Sequence, residues 1–293
     1  QYQKLIEMGN YHSYIVKALA AMTNKTEAEI KRIMERSGLK ALRFDSDIYK
    51  GAGLGPPPLA ASPALQSVMR AGLENTMGLF ENLTRTTANT STQQFEQVLD
   101  RAWMHVSSGA FSHHEATRMA VKSLARDGLA SIRYPSGHVD HMDVAVRRAV
   151  LTGINQASLK MTETLADEMG CDLVEVTAHA GARIGVGVAD HSAWQGKVYS
   201  RSGTHRKYPS LVEKTGYGTG PGLGGWNCRH SFFPFIEGFS EPAYTDQELA
   251  ELNAPKYTYN GQKITEYEAT QRQRYIERQI RRWKREKAAM AAA

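Results

Sequence analysis

Apolar positions repeat at helical spacing over the first half of the chain and lose that spacing in the second. In TNKTEAEIKRIMERSG, Ile30, Ile33 and Met34 share one helical face, Thr23 or Asn24 offers an N-cap, and Gly38 stands where a helix would stop. GAGLGPPPLAASP, Gly51 to Pro63, suits neither a helix nor a strand interior, because proline lacks the N–H donor and glycine adds backbone entropy. It reads as an extended linker or arm that packs on another element or crosses a subunit boundary, with Pro56–Pro58 favouring a polyproline conformation. From Ala64 to Met169 helices dominate. Leu65, Val68, Met69, Leu73, Met77 and Leu79 lie on or near one face, and a further helix is expected to open at Ser91 or Thr92. Ser112 with Glu115 forms the pattern of a capping box. Arg133 to His138 (RYPSGH) reads as a turn, and the stretch after it, to Met169, as one long helix or two. This half is expected to be a helical bundle with short loops.

At Cys171 the pattern changes. Leu173, Val174, Val176, Val186, Val188 and Val198 replace helix formers with mostly β-branched residues, and glycine becomes dense from Gly203 to Gly225. The predicted fold is α+β: a mostly helical N-terminal half, a small glycine-rich α+β domain and a C-terminal basic helix. The corresponding divisions are an N-terminal helical segment over 1–50, the linker over 51–63, a helical domain over 64–170, the compact glycine-rich domain over 171–262 and the basic helix over 263–293.

Charge sharpens this division. The chain carries a net +6, and the stretch Arg272 to Lys287 holds all of it: eight basic residues (Arg272, Arg274, Arg278, Arg281, Arg282, Lys284, Arg285, Lys287) against Glu277 and Glu286. The remainder has 28 basic and 28 acidic residues, so the basic character belongs to one terminal element. That element is rich in Gln, Arg, Glu and Lys and lacks Gly and Pro, so one helix from about Thr265 to Lys287 is expected, leaving the body of the glycine-rich domain. Ile276, Ile280 and Trp283 form a narrow apolar stripe that calls for a single docking surface. The helix is read either as a solvated end, with Glu277 paired to Arg281, or as a contact to DNA or to an acidic protein surface. A length of 293 residues, 41% hydrophobic, leaves room for a sizeable core. No run of eighteen apolar residues suggests a membrane helix, and QYQKLIEMGNYHSY lacks the apolar core of a signal peptide. The start at Gln1 rather than Met reads as the loss of a leading segment. Two cysteines, Cys171 and Cys228, are expected to be unbridged thiols.

Three segments of the second half mix histidine with small residues: HAGAR (His179 to Arg183), HSAWQGKVYS (His191 to Ser200) and GLGGWNCRHSFFP (Gly222 to Pro234). His179, His191, Asn227 and His230 are expected to converge in space. His179, His191, Cys228 and His230 are types that ligate zinc, but Cys-x-His leaves one residue between ligands and no Cys-x-x-Cys exists, so the spacing favours histidines bonded to loop carbonyls. A Cys–His nucleophile pair is the catalytic alternative, yet Phe232, Phe233 and Phe235 follow Cys228 and favour a buried structural thiol. TGYGTGPGLGG lacks the Gly-Lys-Ser/Thr of a phosphate loop, which excludes that class of nucleotide site. Trp194, beside Gln195 and Gly196, reads as a core plug, and Arg183 as an internal partner of Asp190 rather than a phosphate contact.

HAGAR, HSAWQGKVYS, TGYGTGPGLGGWNCRHSFFPFIEG and YTYNGQKITEYEATQRQRYIERQIRRWKR, taken in that order, resemble the phage minor capsid protein 2 family. More distantly they resemble Mu F-like head morphogenesis proteins, in which a histidine-to-glycine motif precedes an Asn-Cys pair and a proline. The resemblance runs from about Met142 to Arg285, and Asn227-Cys228-Arg229-His230 after the glycine-rich loop is its most specific part. It implies a virion protein assembled in the bacterial cytoplasm, a head component near the portal that acts in morphogenesis and DNA packaging or delivery. The implied partners are the portal and major capsid proteins, with packaged DNA meeting the basic helix. No catalytic residue, cofactor, membrane or small-molecule substrate is implied. The rival readings are a metal-dependent hydrolase or toxin-like effector built on the His/Cys cluster, and a DNA-binding packaging accessory.

Overall fold

A computed structural model describes residues 27–108, 110–128, 130–133 and 139–292. The N-cap expected at Thr23 or Asn24 and most of the turn expected over 133–138 lie outside the described residues. Eight helices are described: α1 (Glu27–Gly51), α2 (Pro63–Ser107), α3 (His113–Asp127), α4 (Met142–Glu168), the short α5 (His191–Trp194) and α6 (Leu211–Thr215), α7 (Asp246–Asn253) and α8 (Glu266–Ala292). The strands are β1 (Ala130–Arg133), β2 (Val139–His141), β3 (Leu173–Val176), β4 (Val198–Ser200), β5 (Phe232–Pro234), β6 (Tyr257–Tyr259) and β7 (Gln262–Ile264). All strand pairs are antiparallel: β1 with β2, β6 with β7, and a three-stranded sheet in the order β4-β3-β5. The expected α+β class is observed.

The described chain divides into two compact units that are each discontinuous in sequence. One comprises residues 78–149 and 272–292, the other 28–77 and 150–271.

In the first unit, Ser112 caps α3 with the anticipated capping box: its hydroxyl accepts from the Glu115 N–H, and the Glu115 carboxylate accepts from the Ser112 N–H. The helix expected to begin at Ser91 or Thr92 is instead the middle of α2, which runs 45 residues without a break. Thr87 and Ser91 have buried side chains, so these small hydroxyl residues pack rather than cap. Arg148 pairs with the buried Asp140 of β2.

In the second unit, α1 passes straight through Gly38, which does not end it. A side chain at Gly38 would meet Met161 Sδ at 2.5 Å, and one at Gly72 would meet Ala157 Cβ at 2.8 Å. These glycines are there to let helices approach, a packing use that outweighs their cost inside a helix. Ser62 caps α2 by accepting the Leu65 N–H at 3.1 Å, and Pro63 takes the first helical position, where its missing N–H costs nothing. The stretch 51–63 is irregular apart from a 3-10 turn at Leu59–Ala61, and Leu59 packs on the core of Leu42, Tyr49, Leu65, Met161 and Leu165, as an arm docked on another element would.

The sheet forms the other core of this unit. All four residues of β3 are buried, as expected for a central strand. Val174 and Val176 pack with Leu159, Trp194, Tyr199, Leu211, Leu223, Cys228 and Phe232. Val186, expected among the β-type residues, lies instead in an exposed loop.

Candidate functional site

Three loops bring the histidine segments together on this second core. His179 lies in the loop after β3, His191 opens α5, and Cys228 and His230 end the glycine-rich loop just before β5. The His179 ring stacks on His230 with centroids 4.3 Å apart, while His191 and Trp194 meet His230 at 5.3 and 4.8 Å. His191, Trp194, Gln195, Cys228 and His230 are buried. The loop closes by backbone crowding: side chains at Gly222 and Gly225 would collide with the carbonyls of Gly216 and Gly220. From α4, Asn155 donates to the carbonyls of Cys228 and His230, each at 3.2 Å, and Gln156 donates to that of Gly224 at 3.0 Å.

The convergence is that expected for His179, His191 and His230, but not for Asn227. Asn227 is exposed and takes a left-handed backbone, φ 54°. Asparagine tolerates this region, so its part is to turn the chain into Cys228. Arg229 is exposed as well. Gly196, at φ 67°, sits against Leu249 and Ala178 where a side chain has no room. Arg183 does not pair with Asp190 as expected. Its guanidinium donates to the carbonyls of Pro221 (3.2 Å) and Trp226, and Asp190 accepts from the Ser192 hydroxyl at 2.6 Å. The planar guanidinium can satisfy two loop carbonyls at once, a geometry invisible in sequence.

The hydrogen bonds fix which ring nitrogen carries each proton. The His179 N–H, an obligate donor, points at Gln195 Oε1 (3.0 Å), and the Ser192 carbonyl, an obligate acceptor, faces Asn253 Nδ2 (3.2 Å). Between these ends Gln195 Nε2 donates to Asn253 Oδ1 at 3.0 Å, so both amides have one orientation. Gln195 Oε1 therefore accepts from His230 Nε2 (3.0 Å), which carries the proton, and His230 Nδ1 is bare, 3.6 Å from Cys228 Sγ. His191 Nε2–H donates to the Pro221 carbonyl at 2.9 Å, leaving Nδ1 bare. His179 Nδ1–H donates to the Ala180 carbonyl at 2.9 Å, leaving a buried Nε2 with no partner.

Burial favours the neutral forms of Cys228, His191 and His230. Burial, reinforced by His179, His191 and Arg183, holds His230 down to about 2. Burial likewise lowers His191 and raises the Cys228 thiol. A Cys–His pair with the thiol pushed up and the imidazole pushed down does not form the thiolate–imidazolium of a nucleophile. Cys171 and Cys228 are both free thiols.

Asn155, Gln156 and Asn253 were not singled out from the sequence. The one signal for the first two was an Asn-Gln pair within an otherwise small and apolar stretch of α4.

A second candidate lies in the other unit, on the basic helix. Thr265 caps α8 by accepting the Glu268 N–H at 3.3 Å, and the helix runs unbroken to Ala292. Arg278, Arg281, Arg282 and Arg285 line a cleft of about 400 Å³ together with Arg101 and Arg126. Asp127, bonded to Arg126 at 2.8 Å, is the only acidic residue among the described residues of its lining. Arg285 donates to the carbonyls of Ala125 and Arg126 at 3.1 and 3.0 Å, which anchors the helix. Glu277 accepts from Gln273, and Arg282 pairs with Glu286 at 2.9 Å. At 3.6 residues per turn, Ile276, Ile280 and Trp283 fall on the side opposite these arginines. They are 48%, 43% and 62% exposed. The stripe expected to dock is thus turned outward, and the arginines face the unit's own cleft. Arg272, Arg274, Lys284 and Lys287 complete the basic run, but none of the four lines the cleft.

Among the described residues, no helix is long and apolar enough to cross a membrane. The model of the phage minor capsid protein 2 family matches residues 1–293. A structural protein of Lactococcus phage LL-H is 23% identical over 297 aligned residues, covering 97% of this chain and 76% of that protein. A structural protein of Lactococcus phage mv4 is 37% identical over 83 residues, 28% of this chain and 58% of that one. No solved structure matches. With a family match along its whole length, the chain belongs to the phage minor capsid protein 2 family and is a structural component of the virion.

Proposed function

We propose that this minor capsid protein works beside the portal during head morphogenesis, that it meets packaged DNA through the arginine cleft, and that it has no substrate. The observation that carries the DNA contact is the cleft itself. Six arginines against one carboxylate around about 400 Å³ form a concave cationic surface of the kind that neutralises phosphates. The structural role is supported by family membership and by the chemistry of the buried Cys228, His191 and His230, whose thiol is pushed up and whose imidazoles are pushed down. The outward stripe of Ile276, Ile280 and Trp283 supports a protein neighbour on the opposite face of the same helix, with the portal or the capsid inner wall as the partner.

The test has two arms. Duplex DNA binding by the purified chain is measured against salt, where each phosphate neutralised contributes a slope of about −0.9 in log K against log salt. Replacing Arg278, Arg281 and Arg282 with Gln is expected to flatten that slope. Cross-linking in intact particles is expected to join the chain to the portal. A salt-independent or absent DNA interaction removes the DNA contact, and cross-links confined to tail proteins remove the portal position.

A further inference from the structure

We propose that His191, Cys228 and His230 hold a zinc ion that pins the glycine-rich module. Spacing in the sequence argued against this, since Cys228 and His230 are separated by one residue. The fold changes the balance. The left-handed turn at Asn227 and the closure of the loop bring Cys228 Sγ and His230 Nδ1 to 3.6 Å, and a ring nitrogen of His191 joins them so that all three donor atoms lie within 4.8 Å of one another. All three residues are buried.

Two further features fit a metal better than a set of hydrogen-bonded histidines. Histidines that ligate a metal typically donate their other N–H to a carbonyl or carboxylate, which fixes the tautomer. Here His230 donates Nε2–H to the Gln195 amide oxygen, itself oriented through Asn253, and His191 donates Nε2–H to the Pro221 carbonyl. Each ring thus keeps one bare nitrogen. The second feature is His179 Nε2, a buried bare nitrogen without a partner, on a ring stacked against His230. A buried polar atom left unsatisfied is uncommon and marks a place where an ion or water belongs. Two imidazole nitrogens and a thiolate are donors that zinc takes, and a water completes the tetrahedron where the protein supplies three of them. Copper(I) also likes sulfur, but the two imidazoles and the need for a redox-inert staple select zinc.

On binding, the Cys228 thiol gives its proton to solvent as the S–Zn bond forms, and the histidines bind as neutral ligands. The ion would tie the start of α5 to the end of the glycine-rich loop, two segments 35 or more residues apart in sequence. This inference stands apart from the portal and DNA readings and survives their failure.

The experiment uses the full chain, stripped with a chelator and titrated with Co²⁺ as a spectroscopic stand-in for zinc. The expected result is one equivalent bound, with the visible bands of tetrahedral cobalt and a thiolate-to-cobalt charge-transfer band in the near ultraviolet. Zinc is then expected to displace the cobalt. Cys228→Ser is expected to lose the charge-transfer band and to weaken binding by on the order of 100-fold or more. Cys171→Ser is expected to keep both, which identifies the sulfur as Cys228 even where the Cys228 variant folds poorly, since the chain has only these two cysteines. Absence of a thiolate band in the wild-type chain, or its loss in Cys171→Ser with retention in Cys228→Ser, overturns the proposal.

Discussion

The glycine-rich module and the terminal helix use the same residue types to opposite ends. In the module, polar side chains point inward and satisfy one another. Gln195, Asn253, His179 and His230 form a chain of bonds whose direction is set by one backbone N–H and one backbone carbonyl, and Asn155 reaches in from α4 to hold two carbonyls of the loop. On α8 the pattern is reversed. The arginines edge a cleft, and Tyr275, Ile276, Ile280 and Trp283 are exposed. The module spends its polar groups on its own conformation, whereas the helix turns its arginines to a cleft and leaves its apolar stripe exposed, the two surfaces on which the proposed contacts rest. A mutation should therefore be read as a stability change in the first region and as a binding change in the second.

The largest effect expected is at Gln195. Gln195→Ala removes the acceptor for the His179 N–H and the His230 Nε2–H and the donor to Asn253, all at 3.0 Å and mostly out of water. Each buried group left without a partner costs roughly 1–3 kcal/mol, so a loss of about 4 kcal/mol is expected in denaturant unfolding. A loss below about 1 kcal/mol would mean that water replaces the network freely, and the contrast with α8 would collapse.

Next in size is a pH effect confined to the unit that contains the module. Asp45 on α1 is 2% exposed, accepts from the Thr162 hydroxyl at 2.6 Å, and is raised by burial from 3.8 to about 7. Because the folded state holds this proton more tightly than the unfolded chain, its stabilising contribution is complete below about pH 4 and is lost as pH rises through 7. Glu175, buried in β3 and raised by the same cause, acts in the same direction. Asp45→Asn keeps an acceptor for Thr162 and removes the titration. The wild-type chain is expected to lose on the order of 3 kcal/mol more than the variant between pH 5 and pH 8. Parallel stability–pH curves for the two would show that Asp45 is hydrated and ionised throughout.

A smaller effect is expected where the arginines line the cleft. Replacing Arg278 and Arg281 with Gln should leave the melting temperature within about 2 °C, since exposed charges contribute little to stability. DNA affinity at low salt should fall roughly tenfold, with a flatter salt dependence. An unfolded variant would place these side chains in the core and break the comparison from the other side.

Legibility in the sequence follows the same line. What depends on local chemistry could be read: the capping box at Ser112, the irregular 51–63 stretch, the unbroken terminal helix and the concentration of charge within it. The meeting of His179, His191 and His230 was also foreseeable, because dense glycine around repeated histidines signals close packing. What depends on long-range approach could not. Gly38 looks like a helix stop until Met161 of α4 is seen against it, and Ser91 looks like a cap until its burial is known. Arg183 had a nearby carboxylate in sequence and chose two carbonyls some forty residues away. Asn253 carries no signature and Asn155 only the Asn-Gln pair it forms with Gln156, since their role exists only through the loops they hold.

The smallest effect on stability is expected at the outward stripe, where the comparison is at its sharpest. Ile280 and Trp283 are 43% and 62% exposed, so little of the area that makes apolar residues stabilising is removed from water in the isolated chain. Ile280→Ala with Trp283→Ala should change unfolding by no more than about 0.5 kcal/mol, the usual range for surface positions. A solvated helix of no further use would show nothing else. Yet a stripe of Ile276, Ile280 and Trp283, with Tyr275 beside it, is a costly surface to leave in water, and large aromatic residues at a contact carry a disproportionate share of binding energy. The double variant is therefore expected to fold and to bind DNA as the parent chain does, but to be depleted severalfold from purified particles. Quantitative mass spectrometry of wild-type and variant heads measures that ratio. Equal incorporation would leave the arginine face as the only working side of the helix.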